Sequence, residues 1–108
     1  MTNRWPFADP PNLATVTLNR IFDDGRPITY ASHDEDGTWQ FLDGEDCTES
    51  DAAIVALKTI VDHDPTMREL AALPHGFAAV RGTIEGPWQV CPLPRQERRP
   101  IENTEHMI

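Results

Sequence analysis

The chain reads as a small single α+β domain, with an antiparallel sheet of about five strands and one or two short helices. Three observations predict this. Three short apolar runs in the first half are separated by glycine-bearing turns. An Asp-Pro pair then opens a helical run. A last apolar stretch, Phe77 to Ile84, returns to strand character. The expected order is β-β-β, a short strand, one or two short helices, then β-β.

Residues 1–13 are expected to form an irregular lead-in, because Pro6, Pro10 and Pro11 oppose regular pairing. Trp5 and Phe7 offer an apolar latch onto the body, with simple disorder as the rival reading. The domain proper is placed at residues 14–91. Ala14 to Phe22 alternates, with Val16 and Leu18 on one face and Thr15, Thr17 and Asn19 on the other. Asp23-Asp24-Gly25 marks a turn, and Pro27 to Ser32 reads as a second strand. Asp34-Glu35-Asp36-Gly37 is a hairpin loop. Thr38 to Leu42 follows as a third strand, with Trp39 and Phe41 facing one way. The three strands are expected to form an antiparallel meander.

Thr48 and Ser50 are both suited to cap a following helix. Ala52 to Val61 fits either period: Ile54, Leu57 and Val61 match a helix, whereas Ala53, Val55 and Leu57 match a strand. Asp64-Pro65 combines a cap residue with proline at the first helical position. Met67, Leu70 and Ala71 then share a face, and Pro74 and Gly76 stop the helix. Phe77 to Ile84 is broken at Gly82. Glu85-Gly86-Pro87 is a turn, and Trp88 to Cys91 a short last strand. Residues 92–108 are expected to be a mobile charged tail.

The formal net charge is -9, from 18 acids and 9 bases. Its distribution is uneven. Residues 34–51 carry Asp34, Glu35, Asp36, Asp43, Glu45, Asp46, Glu49 and Asp51 with no base at all. Elsewhere acids and bases nearly balance. Such a face disfavours nucleic acid and anionic lipid and favours a basic partner. Asp43, Glu45, Asp46, Glu49 and Asp51 are the candidate contact residues.

No catalytic, metal or cofactor motif stands out, and no cofactor is expected. Asp34-x-Asp36-Gly37 lacks the rest of a calcium loop, so a solvated hairpin tip is the better reading. His33, His63, His75 and His106 lack zinc spacing and read as scattered surface residues. The six glycines form no phosphate-cradling loop. Cys47 and Cys91 make no disulfide framework and suit a reducing, cytoplasmic setting. No apolar run has the length of a membrane span, and the N-terminus lacks a signal-peptide core. Trp39, Trp88 and Met67 are expected in the core rather than at a contact surface. Arg81, within an apolar strand, is expected to pair structurally with an acid such as Asp43.

Several short motifs occur in one order: Trp39-Gln40-Phe41-Leu42-Asp43-Gly44, Val55-x-Leu57, Asp64-Pro65-x-Met67, Leu70-x-x-Leu73-Pro74-x-Gly76-x-Ala78, then Arg81 and Trp88. With the segment Thr17 to Tyr30, they resemble a bacterial family often called the immunity protein 33 family, over roughly residues 14–90. The resemblance implies an α+β domain in which the segment around Val55 is a short strand leading into a helix. It also implies a role for some members as immunity proteins that neutralise bacterial toxins. It supplies no catalytic residue. Asp64-Pro65-Thr66-Met67 departs mildly from the family's usual Asp-Pro-Ser-Leu.

The leading expectation is therefore a non-catalytic protein-binding domain for a basic protein partner. The alternative is a small-ligand or metal-binding domain, or an enzyme of unknown reaction.

Overall fold

The computed structural model describes residues 4–94. Six strands form one mixed sheet: β1 (Ala14–Leu18), β2 (Tyr30–His33), β3 (Trp39–Leu42), β4 (Ala52–Ala56), β5 (Phe77–Val80) and β6 (Gln89–Pro92). Their spatial order is β4-β1-β3-β2-β5-β6. Two short α-helices, α1 (Asn19–Asp23) and α2 (Leu57–His63), and two 3-10 segments, Glu49–Asp51 and Pro65–Leu70, complete the set. The α+β class is thus the observed one.

The expected meander is not. β1 pairs parallel with β3, at Val16 and Gln40, and antiparallel with β4. The reason lies just after β1. The chain does not continue as a strand to Phe22 but winds into α1, which buries Ile21. The short turn needed for a β1–β2 hairpin is consumed, and β3 takes the place beside β1. β2 is also shorter than expected, beginning at Tyr30 rather than Pro27.

One face of the sheet carries its large core side chains. In-register pairs place Ala31, His33, Trp39, Phe41 and Ala79 on the same side, and all are buried. In β1 that face carries Thr15 and Thr17, not Val16. Two buried hydroxyls there need partners. Thr15 donates to the Val55 carbonyl at 2.9 Å and Thr17 to the Phe41 carbonyl at 2.7 Å. Leu57, Ile60 and Val61 of α2 and Met67 and Leu70 of the second 3-10 segment complete the core. Trp39 and Met67 therefore lie in the core, as the sequence predicts.

Ala52 to Val61 resolves into β4 followed directly by α2. Asp64 caps the segment after it, accepting from the Thr66 N–H at 3.0 Å, with Pro65 at the first position. The helix expected there is a 3-10 segment. The lead-in docks on the body: Phe7 is buried edge-on to Trp39, whose indole N–H donates to the Asp9 carboxylate at 2.8 Å. β5 stops at Val80, so Arg81 lies just beyond it. The tail expected from residue 92 begins with the last residue of β6; from residue 95 it lies outside the described residues.

Candidate functional site

The acidic stretch splits around β3. Asp34-Glu35-Asp36-Gly37 turns between β2 and β3, with Gly37 at φ 93° and the Asp36 carboxylate accepting from the Thr38 N–H at 3.0 Å. The second part, Asp43 to Asp51, leaves the other end of β3 and runs into β4.

The five candidate contact residues do not share one environment. Asp43 turns inward: its side chain has no exposed surface. It accepts from Arg20 Nε at 2.7 Å and Nη2 at 3.0 Å, from Arg26 Nε at 3.2 Å and from the Glu45 N–H at 3.0 Å. Its carboxylate therefore cannot touch a partner, and its role is to hold the loop. The hydrogen bond from Arg20, then the Glu45 N–H and the neighbouring positive charge, hold its pKa down to about 2 against the opposing effect of burial. The same hydrogen bond to Asp43 raises the Arg20 pKa.

Arg20 also donates to the carbonyls of Glu45 and Asp46, at 3.3 and 3.0 Å. One guanidinium thus holds both a side chain and the backbone of the loop, which suits its fixed fork of donors. Gly44 adopts φ 83°, and a Cβ there would lie 3.2 Å from Thr29 Oγ1. That turn brings the Glu45 N–H back onto Asp43.

Glu45, Asp46 and Glu49 are exposed. Glu45 lies 3.5 Å from Arg26, and Asp46 and Glu49 make no ion pair among the described residues. Asp51 belongs to a capping turn, accepting from the Thr48 N–H at 2.8 Å, and sits 3.9 Å from Arg20. Thr48 is thus the cap, of a 3-10 turn rather than a helix. Five carboxylates meet two guanidiniums here, so the loop keeps a negative excess on its outer side.

The sequence reading missed Arg20 and Arg26. Their signal was present: two bases flank the Asp23-Asp24-Gly25 turn and are the nearest cations ahead of the acidic stretch. It also gave Arg81 the wrong partner. Arg81 is buried and pairs with Asp64 at 3.0 Å. It donates twice to the Ile28 carbonyl and once each to Thr66 and the Ile84 carbonyl, and stacks 4.2 Å from the Trp88 ring. Asp43 is held instead by Arg20 and Arg26.

His33 is not a surface residue. It sits on the buried face of β2, stacked on Trp39 at 3.8 Å with His75 edge-on at 4.3 Å. Its Nδ1 donates to the Leu73 carbonyl at 2.8 Å, since a carbonyl only accepts. Cys47 and Cys91 are both free and exposed. Among the described residues, no group of three His, Cys, Asp or Glu could hold a metal ion, and no helix is long and apolar enough to cross a membrane.

A separate apolar cleft of about 430 Å³ lies between the second 3-10 segment and β6, lined by Leu70, Leu73, Pro74, Trp88 and Val90, with Glu69 also contributing. No family model, curated protein or solved structure matches this chain.

Proposed function

We propose that this chain is a non-catalytic protein-binding domain whose Asp43–Asp51 loop meets a basic protein partner. One observation carries the reading. Asp43, Arg20 and Arg26 fix the loop from beneath, and Glu45, Asp46 and Glu49 remain exposed on it. A surface whose charges are held in place speeds encounter with a partner of opposite sign and fixes its orientation. The resemblance to the immunity protein 33 family supports a bacterial toxin as that partner, and a nucleic-acid-cleaving toxin has the basic surface the loop would complement.

The test is association with a basic toxin domain encoded beside this chain's own gene, followed by stopped flow across ionic strengths spanning ~0.15 M. Changing Glu45→Gln, Asp46→Asn and Glu49→Gln together should slow association about tenfold and flatten its salt dependence. An unchanged on-rate overturns the steering role.

The cleft beside Trp88 favours a second reading, a small apolar ligand. Its size falls within the ~300–1,000 Å³ of ligand pockets. A ligand there should change Trp88 fluorescence and raise the melting temperature. No response to a varied set of apolar fragments would remove this reading.

A further inference from the structure

We propose that the outer edge of β4 joins two copies of this chain, antiparallel about a two-fold axis through Ile54. Among the described residues, β4 is the terminal strand and pairs with β1 alone. The Leu57 N–H donates to the Leu13 carbonyl at 2.8 Å. In an antiparallel ladder, bonded pairs alternate with non-bonded ones. Thr15–Val55 and Thr17–Ala53 are then the bonded pairs with β1. Ala52, Ile54 and Ala56 therefore aim their N–H and C=O groups away from the sheet.

Two of these six outward groups are already used. The Ala52 N–H donates to the Glu49 carbonyl, closing the first 3-10 turn. Ala56 is the N-cap of α2, so its carbonyl accepts the first helical bond. Four remain: the Ile54 N–H and C=O, the Ala52 C=O and the Ala56 N–H. They are self-complementary. With Ile54 opposite Ile54 of a second copy, the two exchange a pair of bonds, and each Ala56 N–H meets the Ala52 carbonyl of the other copy. The two groups already used are the ones that would have faced each other in this register. Nothing is left unpaired by it.

Within β4 itself the usual edge defences are missing. Sheets usually blunt an edge with lysine, proline or a bulge. β4 reads Ala-Ala-Ile-Val-Ala, and Ile54 is 66% exposed. The opposite edge strand, β6, carries Pro92. Charge does not oppose the pairing. Antiparallel packing puts the two acidic loops at opposite ends of a five-residue strand, about 17 Å apart and beyond the ~8 Å Debye length. Antiparallel packing brings the acidic loop ahead of β4 in one copy to the end of β4 in the other, where Lys58 follows the strand. Lys58 also pairs with Asp62 of its own chain. A five-residue edge is a small contact, so association depends on concentration.

Cross-linking tests the geometry. In a Cys47→Ser, Cys91→Ser background, Ile54→Cys would place two thiols on the axis. A bonded antiparallel pair has Cα atoms about 5.5 Å apart, within disulfide reach. Mild oxidation of the concentrated protein should convert most of the Ile54→Cys variant to a covalent dimer. The Ile84→Cys variant, also exposed at 50% against 66% for Ile54 but off the edge, should give little. Equal yields at the two positions overturn the proposal. Sedimentation gives an independent reading. The parent protein should show a concentration-dependent dimer, weakened about tenfold by Ile54→Lys, which sets like charges opposite each other. A parent that stays monomeric at every concentration, or an association that Ile54→Lys leaves unchanged, also overturns it.

Discussion

Arg81 and Arg20 each grip one aspartate, but the settings differ. The Arg81 side chain is 1% exposed, and its donors go to Asp64, Thr66 and the carbonyls of Ile28 and Ile84. It ties together the segment before β2, the cap of the second 3-10 segment and the turn after β5. The Arg20 side chain is 24% exposed, and its donors go to Asp43 and to the carbonyls of Glu45 and Asp46. It shapes one surface loop. The same residue pair serves the interior in one place and presents a surface in the other. Burial decides which, because an unpaired charge costs far more where water cannot reach it.

The largest effect should come from breaking the buried pair. Arg81→Met keeps the stem but leaves the Ile28 carbonyl and Asp64 Oδ2 without the arginine's donors, while Asp64 Oδ1 still accepts from Thr66. The expected loss is about 3–5 kcal/mol, read from urea unfolding. A loss no larger than that of an ordinary surface change would show that Arg81 does not hold the interior.

A smaller effect should follow acidification of the Asp43 pair. Its folded pKa is lowered from 3.8 to about 2, so its contribution is present above the unfolded value. The contribution fades as pH falls from 3.8 towards about 2. Because both arginines are partly open to solvent, the contribution is discounted to roughly 1–2 kcal/mol. Asp43→Asn should flatten the stability profile across that window, measured by thermal unfolding at stepped pH. An identical profile would contradict the assignment.

Gly44→Ala should cost about 1 kcal/mol, since φ 83° is strained for alanine and the new Cβ would crowd Thr29. A neutral result would mean that the turn below Asp43 relaxes freely. The smallest effect belongs to Lys58 and Asp62, both 63% exposed in an i,i+4 pair at 2.7 Å. A double-mutant cycle should give about 0.3–0.5 kcal/mol, falling with salt.

Local signals in the sequence translated well. Trp39 and Phe41 share a buried face because strand alternation is a local property. The Asp64-Pro65 start and the Gly37 turn depend only on nearby backbone. Long-range choices were not legible. Alternation in Ala14 to Leu18 separates two faces but does not say which is buried, and the threonine face won because carbonyls of β3 and β4 accept its hydroxyls. The parallel pairing of β1 with β3 depends on where α1 sends the chain. In sequence Asp43 reads as a solvated contact acid or as a partner for Arg81, because a charge run looks uniformly solvated and pairing is a long-range choice. Its partners lie 23 and 17 residues earlier in the chain. The exposed members of the loop were legible, and the residue that holds them in place was not.

The division of the acidic loop into an inward anchor and an outward face is tested most directly by urea unfolding at neutral pH. Asp43→Asn is compared with the combined Glu45→Gln, Asp46→Asn, Glu49→Gln variant. Asp43→Asn should lose roughly 1–2 kcal/mol, whereas the triple variant should stay within about 0.5 kcal/mol of the parent. A triple variant that loses as much as Asp43→Asn would contradict the division.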